Sequence, residues 1–252
     1  MPKTGSTPGT NPSLVFLHGF LENKGMWKKI IPAFTDDFHC IKMDLPGHGE
    51  ATPLKGIQSM ERMAEYVIRK VEKENIKAIA LIGHSMGGYV SLEIARMRPD
   101  LVKGICFYHS RILPDETELR NARIRGVQAV ELNKRVAITS TMRKLFAEPL
   151  HSKLEDEINL HIESALNMRT ETIQSCQLGM RSRRNNLKAY LSVEKRLSIL
   201  GEWDVAVPIK KEMELLESFD EDYVLLRKVG HMSHIEATES AVSALRSFTK
   251  TL

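Results

Sequence analysis

Short apolar runs recurring between helix-patterned stretches constrain this chain more than any other feature. Residues 14–20 (LVFLHGF), 39–45 (HCIKMDL), 77–85 (KAIALIGHS) and 101–110 (LVKGICFYHS) are of strand length, and each is followed by turn or polar residues. Near-continuous apolarity over so few residues predicts strands covered on both faces. Between them, Met60, Met63, Ala64, Val67, Ile68 and Val71 recur at three- and four-residue spacing, one apolar stripe along a helix ending near Glu74. MGGYVSLEIARM predicts another helix, stopped by Pro99, whose ring clashes with the preceding turn. Alternating strand and helix implies parallel strands joined by right-handed crossovers.

From about residue 111 to 191 the character changes: charged helix-forming stretches follow one another without a convincing strand. Strand signals return in RLSILGEWD and YVLLRKVGH, and the closing ESAVSALRSFTKTL has helical spacing. The expected organisation is therefore a core of residues 13–110 and 192–252, with 111–191 a helical cap inserted over the sheet edge. Residues 1–12, rich in Gly, Pro, Ser and Thr, predict a flexible tail.

Composition narrows the function classes. With 42% hydrophobic and 27% charged residues, the chain reads as neither disordered nor fibrous. The net charge of +4 is spread along the sequence and points to no nucleic-acid partner. Three scattered cysteines without CxxC spacing argue against a disulfide framework or thiolate metal site, leaving reduced thiols. No apolar stretch follows the N-terminal lysine as in a secretory signal, and none is long enough to span a bilayer. A cytoplasmic protein without a membrane partner, monomeric or homodimeric, is the expectation.

Gly83-His84-Ser85-Met86-Gly87 fits G-x-S-x-G, a pattern that needs a strand, a sharp turn and a helix in that order, as predicted here. Small neighbours let strand and helix approach closely while a serine hydroxyl projects above the sheet. A hydroxyl is a weak nucleophile and needs a base and a group to orient it. His231, in the loop after the last strand, and Asp204, in the loop after the preceding one, complete the order Ser…Asp…His. His234 is the rival base, but Gly230 favours His231; it is expected to pack beneath or line the entrance. Asp115 and Glu116 are rival acids, although they stand where a cap helix begins, and Asp115 can cap that helix. The developing oxyanion needs N–H donors: Met86 at the helix start, and Phe20 after the first strand.

Taken together, FLHGF, DLPGHG, GHSMGG, GEWD and GHMSHIE resemble the α/β-hydrolase superfamily, in its branch of small esterases, perhydrolases and related cofactor-free enzymes. The resemblance runs from Leu14 onward and implies Ser85 as nucleophile, His231 as general base, Asp204 as its partner, and Phe20 and Met86 as oxyanion residues. Residues 44–49 match a family turn read as structural. The family usually opens with an antiparallel hairpin for which there is no corresponding sequence before Leu14, so the expected fold is α/β with a six-stranded, parallel sheet lacking that hairpin.

The reading is a cofactor-free serine hydrolase of a small carboxylic ester or related acyl substrate, with no metal. Its alternatives are a lyase or C–C bond hydrolase on the same triad, and a slow-turnover ligand-binding signalling protein. His109 and Arg111, at a strand tip where the cap begins, are candidate substrate-binding residues. Arg181 to Arg184 (RSRR) read as a solvated helix end, and Met26 and Trp27 as core residues of a first helix with Ile30 and Ile31.

Overall fold

The computed structural model describes residues 11–252; the tail expected over 1–12 lies outside the described residues apart from Asn11 and Pro12. Strands β1 (Ser13–Leu17), β2 (Cys40–Met43), β3 (Ile79–His84), β4 (Val102–Tyr108), β5 (Lys195–Gly201) and β6 (Tyr223–Leu226) form one sheet. Its order is β2-β1-β3-β4-β5-β6 and every neighbouring pair is parallel. The strand order reverses direction between β1 and β3, which places a crevice at their carboxyl ends, where open α/β sheets bind ligands.

Side chains alternate across a strand, so one strand feeds two cores. In β1, Val15 and Leu17 join Met60, Met63, Ala64, Val67, Ile68 and Val71 of helix α1 (Met60–Lys73) and Val90 and Ile94 of α2 (Met86–Met97). Leu14 and Phe16 join Trp27, Phe34 and, from α10 (Thr238–Thr249), Ala241, Ala244, Leu245 and Phe248 on the opposite face. Each large apolar side chain buried this way contributes about 1.5–3 kcal/mol. β3, with a neighbour on either side, is buried at every residue, which accounts for its unbroken apolar run. The Ser59 hydroxyl caps α1 by accepting from the Arg62 amide.

Where one helix is expected after β1, the chain makes two short 3-10 segments, Lys24–Lys29 and Ile31–Ala33. Pro32 lacks the N–H that would continue the first into an α-helix. Met26, Trp27 and Ile30 are nonetheless core residues.

Between β4 and β5 run five helices, α3 (Thr117–Leu132), α4 (Lys134–Leu145), α5 (Glu155–Leu166), α6 (Thr170–Arg181) and α7 (Leu187–Ser192). α7 packs Tyr190 into the core around α1 and α2, whereas the first four share a third, smaller core that includes Val130, Ile138, Met142, Ile158, Ile162 and Ile173. Leu21 and Met232 pack into it from the loops after β1 and β6, so the helical segment is seated on the two loops that flank the crevice. The three cysteines are unpaired, and among the described residues no helix is long and apolar enough to cross a membrane. Helices α8 (Ile209–Ser218) and α9 (Ser233–Glu236) complete the chain order.

Candidate active site

Ser85 closes β3 and caps α2 in a strained left-handed backbone, φ 50° and ψ −113°. It is partly exposed while its neighbours on both sides are buried. The turn is held by its own main chain: the Ser85 amide donates to the Tyr108 carbonyl at 3.0 Å, and its carbonyl accepts from Gly88 N–H at 3.0 Å and the Ser110 hydroxyl at 2.7 Å. A Cβ on Gly83 would lie 2.5 Å from Gly88 N, and one on Gly87 2.4 Å from the Leu17 carbonyl oxygen. Backbone cannot yield at those distances, so only glycine lets strand and helix meet there.

Asp204, in the loop after β5, accepts at Oδ1 from the amides of Ala206 (2.8 Å) and Val207 (3.1 Å). Its Oδ2 accepts from His231 Nδ1 at 2.7 Å. Burial disfavours the Asp204 carboxylate, but the His231 charge and hydrogen bonds from His109 and His231 outweigh it and hold its pKa below the ordinary value. For His231, burial is opposed by the Asp204 charge and hydrogen bond, and its pKa is raised above 6.5. The histidine loop is tied to the serine turn one residue from Ser85, where His84 Nε2 lies 3.0 Å from the His231 carbonyl oxygen. The helical segment also holds it: the His231 amide donates to the Leu145 carbonyl at 2.8 Å.

Met86 is the first residue of α2, so its amide has no intrahelical acceptor. Phe20 follows Gly19 in the loop after β1; among the described residues its amide has no acceptor in the molecule. Leu21 beside it has φ 65°, a costly conformation for a branched side chain and a mark of a loop shaped for something other than stability. His18 anchors that loop, its Nε2 accepting from the Leu45 amide at 2.9 Å. Asp44 holds the 44–49 turn by accepting from the Lys24 and Glu50 amides at 2.7 and 3.0 Å.

The two expected substrate-binding residues both meet other protein groups. His109, fully buried with φ 49°, turns beneath the loops; its Nδ1 lies 3.3 Å from Asp204 Oδ2 and its Nε2 2.7 Å from Ser233 Oγ, which also bonds the Tyr108 hydroxyl. Asp204 thus carries two imidazoles, and burial pushes the second, His109, down to about 4. Arg111 is buried against Glu212 (3.4 Å) and Asp115 (3.5 Å), because a guanidinium beneath the helical segment must be paired. Asp115 caps no helix: Glu116 is the N-cap of α3, and Asp115 receives Arg123 at 3.0 Å and Arg183 at 3.2 Å as well. Arg183, expected in solvent with its RSRR neighbours, lies inward with its guanidinium 3.9 Å above the Tyr89 ring.

Sequence reasoning passed over Glu22. It is buried, accepts from the Gly19 amide at 3.1 Å and from His84 Nδ1 at 2.6 Å, and so braces the loop after β1 against the serine turn. The available signal was an acid three residues beyond Gly19, directly after the apolar Phe20 and Leu21.

Residues 12–238 match the family described as the alpha/beta hydrolase fold. The chain is 27% identical over 252 residues to the dihydrolipoyllysine-residue acetyltransferase component of the acetoin cleaving system of Pseudomonas putida, covering 98% of this chain and 64% of that protein. It is 33% identical over 95 residues to (E)-2-((N-methylformamido)methylene)succinate hydrolase of Acinetobacter baylyi, 38% of this chain and 36% of that one. Both matches thus span less than two thirds of the relative's length. A malate-bound thermophilic esterase from Thermogutta terrifontis superposes with a TM-score of 0.87 at 25% identity, over 96% of this chain and 91% of that one. With the family match extending over most of its length, this chain belongs to the α/β-hydrolase fold family.

Proposed function

We propose that the protein is a serine hydrolase that cleaves a small carboxylic ester or related acyl compound through an acyl-enzyme. The Ser85 hydroxyl attacks the acyl carbon while His231 Nε2 takes its proton; the same imidazole returns the proton to the leaving alcohol. Water, deprotonated by His231, then attacks the acyl-enzyme; the acyl–Oγ bond breaks, the imidazolium returns the proton to Ser85 Oγ, and the acid is released. Asp204 keeps the His231 proton on Nδ1 and stabilises the imidazolium, and the Phe20 and Met86 amides receive the negative charge on the tetrahedral oxygen. The single observation that carries this reading is the buried 2.7 Å Asp204–His231 hydrogen bond, joined to the Ser85 turn through His84. The relatives named as a hydrolase and an esterase support ester-type chemistry.

The helical segment is the proposed cap. A cavity of about 390 Å³, lined by Phe20, Leu21, Val130, Ala137, Ile138 and Ile173 among others, lies between it and the loop after β1. Its size and apolar wall suit a modest acyl group. Ser85→Ala should abolish turnover of a short p-nitrophenyl ester and labelling by a fluorophosphonate, with the circular dichroism unchanged. Labelling of the variant at the wild-type rate would overturn the assignment.

A further inference from the structure

We propose that Glu22, His161 and His234 form a binding site for a divalent transition metal of the Zn²⁺ type, which fastens helix α5 to the core. The three residues come from the loop after β1, from α5 and from α9, and one ligand atom of each lies within 4.8 Å of the others.

Buried polar atoms without partners among the described residues remain on two of the three side chains. Glu22 spends Oε2 on Gly19 N–H and His84, while Oε1 has no hydrogen-bond partner among the described residues and lies 3.6 Å from His234 Nε2. Both ring nitrogens of His234 are likewise unpartnered among the described residues, although each of these two side chains is only 1% exposed. A buried donor or acceptor left in that state is destabilising, and one cation would engage both residues. His161, half-buried, bonds the Glu157 carbonyl through Nδ1 at 2.8 Å. That is the outer contact which orients a metal-binding imidazole, leaving its Nε2 as the lone pair.

The chemistry of the set selects the metal. Two imidazoles and a carboxylate with one open position suit Zn²⁺ or a neighbouring transition ion, whereas Mg²⁺ and Ca²⁺ require oxygen ligands. A cavity of about 220 Å³ lined by all three residues, with Ser164 and the Lys29–Glu157 ion pair beside it, offers an entrance and room for water as fourth ligand. Metal–ligand bonds of about 2.0–2.2 Å need donors roughly 3.3 Å apart, so binding draws α5 toward the core. Glu22 also bonds His84, which contacts the His231 carbonyl, so the site abuts the proposed catalytic loop.

Tag-free protein stripped with EDTA and titrated with Co²⁺ should develop ligand-field absorption that saturates at one equivalent and is displaced by Zn²⁺, and Zn²⁺ should raise the melting temperature. His161→Gln, on a partly exposed helix face, should keep the wild-type circular dichroism, lose the melting-temperature gain and bind at least about 100-fold more weakly. His39→Gln, at an exposed histidine outside the cluster, and Ser85→Ala should both bind as wild type. The Ser85 variant separates this site from the esterase reading. No saturable absorption in the wild type, or equal affinity in His161→Gln, would overturn the proposal.

Discussion

Replacing Asp204 by asparagine changes one atom and tests the proposed mechanism at its electrostatic centre. All four partners of the carboxylate are donors: the Ala206 and Val207 amides at Oδ1, and His231 Nδ1 and His109 Nδ1 at Oδ2. Asparagine offers one acceptor oxygen. If that oxygen stays with the two backbone amides, which cannot move without unfolding the loop, the NH₂ group occupies the Oδ2 position and faces the His231 ring nitrogen at 2.7 Å. Two donors cannot bond, so His231 relieves the clash by shifting its proton to Nε2. The lone pair that should accept the Ser85 proton is then lost. A wrong-tautomer histidine lowers kcat by about 10⁴, or about 5.5 kcal/mol at roughly 1.36 kcal/mol per tenfold. The assay is steady-state hydrolysis of a short p-nitrophenyl ester at saturating substrate, with circular dichroism and a urea midpoint showing that the fold persists. A folded Asp204→Asn enzyme retaining kcat within about tenfold of wild type would refute the reasoning, since tautomer control would then have no part in the rate.

Two further outcomes follow from the same geometry. The pKa of His231 is raised, and only its neutral form can act as base, so the acidic limb of kcat/KM should lie above pH 6.5; a limb below that value would contradict the Asp204 contact. Asp204 has a depressed folded pKa, so its contribution to stability is present above its unfolded value of 3.8 and is lost as pH falls through the lower folded one; a urea midpoint unchanged by Asp204→Ala at pH 7 would argue against this. At the base of the helical segment, Asp115→Ala would leave Arg111, Arg123 and Arg183 without their shared, fully buried carboxylate. The expected loss is about 3–5 kcal/mol, read from urea unfolding, and a loss under about 1 kcal/mol would mean that water reaches the cluster.

Much of the architecture was legible because it rests on local and periodic signals. Strand β3 had to be short, apolar up to its last residue and followed by glycines, and the stripe Met60 to Val71 had to face a sheet; neither requires knowledge of a distant residue. The Ser85 turn is equally local at Gly83, where a Cβ would meet the Gly88 amide within five residues, whereas the need for glycine at 87 comes from the distant Leu17 carbonyl. The placement of His109 and Arg111 could not be read this way. Periodicity put them at a strand tip, but it could not tell a pocket wall from the underside of a loop 90 or more residues away, where Asp204 and Glu212 claim them. Arg183 looked solvent-bound for the same reason: its partner Asp115 is 68 residues distant and invisible in the local charge pattern.

The amino-acid order by itself thus determined which segments become strands and helices and which loop carries the serine, because those choices depend on spacing and on the backbone freedom of glycine. Only the tertiary structure decided which buried charges meet. A carboxylate beneath a helical layer must find donors wherever the packing supplies them, and that choice joins Glu22 to His84, Asp204 to two histidines, and Asp115 to three arginines.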